Sequence, residues 1–201
     1  MWLLIDIGNT STKVAACNPD GGGYEVITLA TASGEEQQLI DGLAGVATFE
    51  RAIISSVVPD VRTRYEAILQ RLNLTPVIVS SEMTLPFSMG YRTPETLGAD
   101  RIAGAVGAWD YVRAEAGHEV NVVSVDAGTA VTFDIVTAKG MFVGGPIAAG
   151  PELLRMALSN DTAQLPDVAL FMPADVISGT SEDAGRAGIM VGFAEGCMGI
   201  I

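Results

Sequence analysis

Apolar residues open the chain in a short run, Trp2 to Ile5 and then Ile7, interrupted by Asp6, and the alternation resumes over residues 11 to 17 after a Gly8-Asn9-Thr10 turn. Period-two patterns bounded by turn residues predict strand, turn, strand. Asn18 to Gly23 is a second turn signal, and a third strand is predicted near Tyr24 to Thr31, giving an antiparallel meander. The pattern then alternates between helix and strand. Helices are predicted over 34–43, 59–72 and 99–116, the second with Pro59 in its first turn, and buried strands at 51–57 and 76–79. Beyond residue 120 the strand pattern returns at 120–126, 130–137 and 141–147. A helix over 150–158 follows, then a last helix on which Gly188, Gly192 and Gly196 fall four apart. Such a glycine face predicts close helix packing.

The two meanders begin alike. Asp6-Ile7-Gly8-Asn9-Thr10-Ser11-Thr12 and Asp126-Ala127-Gly128-Thr129-Ala130-Val131-Thr132 both read D-x-G-x-x-x-T, 120 residues apart. Asp and Gly are ordinary turn residues, so one copy alone would carry little. The repeat argues for two related half-domains facing a cleft, residues 1–117 and 118–201, since the offset far exceeds a solenoid period. Glycine lets the backbone turn sharply and approach a ligand. Successive amides in such a turn form an anion-binding concavity, and Asn and Thr add donors, so each turn can hold phosphate oxygens. Asp6 cannot bind phosphate directly, but it can hold a hydrated Mg²⁺ that bridges phosphates.

Composition narrows the function. With 201 residues and 49% hydrophobic content, the chain can bury a substantial core. A net charge of −13 excludes a phosphate-backbone binder such as a DNA protein, and no nucleic-acid partner is expected. Anionic nucleotide remains possible, with bound metals and backbone amides supplying the positive charge. Cys17 and Cys197 have no C-x-x-C spacing, and Trp2 to Ile5 is too short for a leader or a membrane span, so a cytoplasmic protein without a membrane partner is expected. His118 is the only histidine, which excludes a histidine zinc site or a His-dependent triad. P-loop, kinase-type glycine-loop and G-x-S-x-G signatures are all missing from the sequence.

Between the copies lies Tyr91-Arg92-Thr93-Pro94-Glu95-Thr96-Leu97-Gly98-Ala99-Asp100-Arg101, a loop entering a helix. Asp100 reads either as a helix-terminal cap or as an acceptor of a substrate hydroxyl proton. Arg101 reads either as half of an exposed ion pair or as a planar partner for a substrate carboxylate or carbonyl. Lys13 reads equally as a phosphate contact or a solvated lysine.

Taken in order, D-x-G-N-T, G-A-D-R, D-x-G-T-A-x-T-F-D, Gly144-Gly145-Pro146-Ile147-Ala148 and Thr162 to Pro166 resemble the type III pantothenate kinases, of the actin, heat-shock protein and sugar-kinase superfamily. The resemblance runs over nearly the whole chain. It implies an α/β fold of two ribonuclease-H-like halves with mixed sheets flanked by helices, and ATP-dependent phosphorylation of pantothenate, the first step of coenzyme A synthesis. It implies Mg²⁺ and K⁺ (or NH₄⁺) as cofactors and a homodimer. By resemblance, Asp6, Ile7, Gly8, Asn9, Thr10, Ser11, Thr12, Lys13 and Thr129 contact ATP, and Asp6 carries Mg²⁺ through water. Tyr91, Gly98, Ala99, Asp100, Arg101 and Ser181 contact pantothenate, Asp100 is the general base, and Asp126 holds potassium. Two departures stand out: Gly179-Thr180-Ser181 replaces an Asn-Thr pair, and Pro151 sits one place beyond the family's proline. The second half reads as short, without the family's last strand and helix. That shortening supports an alternative, a non-catalytic or partner-dependent subunit that binds nucleotide or pantothenate. A related sugar or acetate kinase fits the G-A-D-R motif less well.

Overall fold

The first hairpin forms because alternate residues of a strand project to opposite faces, and here one face is apolar. In the computed structural model, which describes residues 1–201 except Tyr24, β1 (Trp2–Ile7) buries Leu3, Ile5 and Ile7 on one side. The start predicted for the third strand at Tyr24 lies outside the described residues. β2 (Ser11–Cys17) pairs antiparallel with β1, and β3 (Glu25–Ala30) antiparallel with β2. After α1 (Glu36–Val46), β4 (Arg51–Ser56) lies parallel to β1. After α2 (Pro59–Arg71), β5 (Val77–Ile78) lies parallel to β4. The sheet order is β3-β2-β1-β4-β5.

Both helices cover the face that carries Leu3, Ile5, Ile7, Val14, Ala52 and Ile54. From α2 come Val61, Tyr65, Ile68 and Leu69, an i, i+4, i+7, i+8 stripe, and from α1 comes Ile40. Burying each large side chain contributes roughly 1.5–3 kcal/mol. Tyr65 is the exception within this core: it is fully buried and its hydroxyl has no hydrogen-bond partner among the described residues. Desolvation, assisted by Glu36, pushes that hydroxyl's pKa up to about 12. Tyr65→Phe is therefore expected to stabilise the protein by about 1 kcal/mol, because it removes an unsatisfied buried group and keeps the ring. A urea midpoint equal to or below that of the wild type would refute this.

A second layer follows. β6 (Ser88–Met89) leads through a 3₁₀ turn at Pro94–Thr96 into α3 (Ala99–Ala116), which ends on Gly117 in the left-handed conformation at φ 66°. β7 (Val122–Ala127), β8 (Ala130–Thr137), β9 (Met141–Gly144) and β10 (Ile147–Ala149) come next, followed by α4 (Pro151–Asn160) and α5 (Ser181–Ile200). β8 is central: β7 lies antiparallel along one edge, and β9 and β10 share the other, with β6 parallel to β9. Ile102, Ala105 and Trp109 of α3 pack on Val122, Val136 and Phe142, with Phe87 stacked on Phe142. Segments preceding Gly117 thus complete the second layer.

Two expectations change, and one strand, β6, has no counterpart in the sequence pattern. The strand predicted at 141–147 is two strands, broken where Gly144 takes φ 81° and a bulge interrupts the ladder at Ile135/Val136. β6 has only two residues, too few to show a periodicity. On α5 a Cβ at Gly188, Gly192 or Gly196 would meet nothing within 4 Å, so the glycine face is not a packing face among the described residues. The helix is instead seated by Arg186, Ala187 and Ile189, with the Arg186 guanidinium 4.1 Å from the Phe171 ring centroid and donating to the Ala169 carbonyl.

Candidate active site

The repeated motif has one spacing but two geometries. In the first hairpin Ile7 faces Thr12 and four residues close the turn; in the second Ala127 faces Val131 and three close it, which sets Asp126 opposite Thr132. Losing one residue flips the face of everything after the turn. Thr132 therefore lies beside Asp126 in the cleft, whereas Thr12 points into the core with Ile7, and Lys13 takes the corresponding cleft position opposite Asp6. Thr31 Oγ1 donates to the Gly8 carbonyl at 2.7 Å, so Thr12 Oγ1 is the donor in its 3.0 Å bond to Thr31. Of the expected ATP segment, the Ile7 side chain and the Thr12 hydroxyl are thus committed to the fold.

Thr31 is a positioning residue the sequence reading missed. Besides gripping the Gly8 carbonyl, its amide bonds the Thr10 carbonyl, clamping both ends of the first turn. A buried threonine closing the third strand was its only signal. Gly150 does the same for the second turn. Its amide bonds the Thr129 carbonyl, and a Cβ there would come within 2.1 Å of the Gly128 carbonyl oxygen. The two turns then meet, Thr10 Oγ1 lying 3.0 Å from Thr129 Oγ1.

Below this contact lies a cleft of about 180 Å³ lined by Asp6, Gly8, Asn9, Thr10, Ser11, Lys13, Asp100, Asp126, Thr129 and Thr132. It adjoins a cavity of about 280 Å³ to which Arg101, Ser124 and Asp134 contribute. Asp100 is the second residue of α3, and its Oδ1 accepts the Arg101 amide at 2.8 Å; the N-cap itself is Gly98, so Asp100 serves a first-turn amide from within the helix while it lines the cleft. Gly98 makes that possible, since a Cβ there would fall 2.3 Å from Asp100 Oδ1. Ala99 is buried.

The cleft is strongly acidic. Burial raises the pKa of Asp6, and Asp100 and Asp126 push it the same way. Lys13 opposes this, as does Ser55, which sits at the same register on β4. Ser55 Oγ itself is buried without a partner that meets full hydrogen-bond geometry. Asp134 is likewise raised, first by burial and against the pull of Arg101. Among the described residues no three His, Cys, Asp or Glu side chains converge as a metal cage. Isolated carboxylates at a phosphate-sized cleft suit a largely hydrated cation held by one or two of them.

Arg101 is not an exposed ion pair. Its side chain is 7% exposed and bonds Asp134 at 2.6 Å. The Tyr91 ring lies over it at 5.9 Å and packs against Gly144, where a Cβ would fall 2.7 Å from the ring. Ser181 stands apart: it begins α5, is exposed, and does not line the cleft.

Two phosphate-type turns facing each other across acidic residues, on paired α/β layers, define a phosphotransferase. A family model described as type III pantothenate kinase matches residues 2–201. A type III pantothenate kinase from Chlorobaculum parvum is 34% identical, with 99% of this chain and 74% of that protein covered. One from Desulfosudis oleivorans is 34% identical over 100% of this chain and 80% of its own length. A conserved Baf family protein from Campylobacter jejuni shares the fold, with a TM-score of 0.58 and 21% identity, covering 99% of this chain and 79% of that one. The chain belongs to the type III pantothenate kinase family. It is an ATP-dependent kinase acting on pantothenate in coenzyme A biosynthesis.

Proposed function

We propose that Asp100 is the general base of this kinase, taking the proton from the primary hydroxyl of pantothenate as that oxygen attacks the terminal phosphorus of ATP. The observation that carries the reading is the shared cleft: Asp100, Asp6, Asp126 and both turns line one cavity. Phosphoryl transfer needs positioning and charge neutralisation more than covalent chemistry. Amides and hydroxyls of Gly8 to Ser11 and Thr129 hold the phosphates, with Lys13 beside them, while Tyr91 and Arg101 form the acceptor side. Asp6 would hold hydrated Mg²⁺ and Asp126 a potassium or ammonium ion. Such cations neutralise phosphate charge when bound.

Two further assignments accompany this reading. A homodimer is supported by the exposed apolar residues Phe171, Met172, Val176 and Ile177, and light scattering tests it. A cytoplasmic location is supported by two free cysteines, Cys17 and Cys197. No helix among the described residues is long and apolar enough to cross a membrane.

The deciding experiment is an ADP-release assay with pantothenate, MgATP and potassium against sodium and no-pantothenate controls. Turnover is expected to require both pantothenate and potassium. Asp126→Ala should lower it by at least the roughly 10- to 100-fold that loss of a ligand's supporting partner costs, and abolish the potassium response. A normal potassium response in that variant would place the monovalent site elsewhere.

A further inference from the structure

Phosphate chemistry accounts for Asp126, Gly128 and Thr129 of the second motif but leaves its final carboxylate unused. We infer that Asp134 is a positioning residue for the acceptor's carboxylate, gripping one edge of Arg101 so that the other edge is presented to substrate. This rests on the reading that Arg101 meets that carboxylate.

The grip consists of two hydrogen bonds and a close ion-pair contact. Nε of Arg101 donates to Asp134 Oδ1 at 2.9 Å, Nη2 lies 2.6 Å from the same oxygen, and Nη2 also donates to the Gly145 carbonyl at 3.2 Å. Both side chains are almost fully buried, at 7% and 4% exposure. The carbonyl is equally fixed. A Cβ on Gly145 would stand 1.9 Å from the Phe133 carbonyl oxygen, so the two backbones touch there. Tyr91 covers the guanidinium face. Nη1 has no protein partner among the described residues, and the residue walls the 280 Å³ cavity that Asp100 shares.

A guanidinium is a rigid planar fork, so fixing Nε and Nη2 fixes the direction of Nη1. An untethered arginine on a helix would sample many rotamers and lose them on binding. Asp134 and Gly145 remove that freedom before the acceptor arrives. The hydroxyl of the same acceptor must reach Asp100, the residue adjacent to Arg101 in the chain. A fixed fork therefore also sets the distance at which the reacting oxygen sits from its base.

The test is steady-state kinetics on the full chain for Asp134→Asn, Arg101→Lys and the double variant, with folding checked by circular dichroism. Asp134→Asn is expected to raise the pantothenate KM about 10- to 100-fold, as a lost charge-assisted bond does, and to leave the ATP KM within about twofold. Adding it to Arg101→Lys should cost no more than about threefold, since lysine has no rigid fork for Asp134 to orient. Equal losses in both KM values, or an undiminished penalty in the Arg101→Lys background, would overturn the inference and leave a structural ion pair. A normal pantothenate KM in Arg101→Lys would remove the Arg101 assignment itself. A raised one beside an unaffected Asp134→Asn would remove only Asp134. If Asp134→Asn fails to fold, Asp134→Glu, which keeps the charge but shifts it by one methylene, is read by the same KM ratio.

Discussion

Asp100→Asn is expected to lower kcat by about 10²- to 10⁴-fold, the usual contribution of a positioned general base, with ATP affinity nearly unchanged. The amide keeps an oxygen that can accept the Arg101 backbone N–H, so the helix start should survive. What it removes is the ability to take a proton. In the proposed reading the two turns hold the phosphates, and Asp100 is not one of their donors. Single-turnover kinetics with a nucleotide-binding titration separates the two effects. Wild-type turnover in a folded variant would remove Asp100 from the mechanism, while loss of ATP affinity in step with kcat would make it a structural residue of the cleft.

Asp6→Asn should move activity and stability in opposite directions. Turnover is expected to fall by about 100-fold or more, because a carboxylate poised to hold a cation at the phosphates becomes neutral. The protein should nevertheless melt higher at neutral pH. Asp6 is raised chiefly by burial and further by Asp100 and Asp126, so its ionised form is less welcome in the folded chain than in the unfolded one. A group raised in this way contributes stability that is present below its unfolded pKa and lost as pH rises through its folded pKa. The advantage of the Asn variant is therefore present at pH 7 and shrinks as the pH falls into the ordinary carboxylate range. Denaturant midpoints at neutral and mildly acidic pH check this. A variant less stable than the wild type at pH 7 would show that Asp6 is held by interactions stronger than its repulsions.

Much of this architecture was legible because it is local. The boundaries of β1, β2, α2, α3 and β8 follow from apolar periodicity, Pro59 and Gly117, each read within a few residues of where it acts. β6 and the break between β9 and β10 escaped because contacts with distant strands, and not local pattern, create them. The final helix misled for a related reason. Glycines spaced four apart say that a close approach is possible, and only packing tells whether anything approaches.

The site divides along the same line. Residue types and order alone determined the family, through the joint pattern of the motifs, and named the candidates: paired D-x-G turns for phosphate, a G-A-D-R helix start for the acceptor and acidic residues for cations. Tertiary structure alone decided which of those residues face the cleft. A one-residue difference in turn length sends Thr12 into the core and Thr132 into the cleft, although the motif spacing is identical. The Thr10 to Thr129 contact, the clamps at Thr31 and Gly150 and the grip of Asp134 on Arg101 join residues between 21 and 119 positions apart. Strand parity and long-range pairing are properties of a closed fold, and a linear pattern cannot carry them.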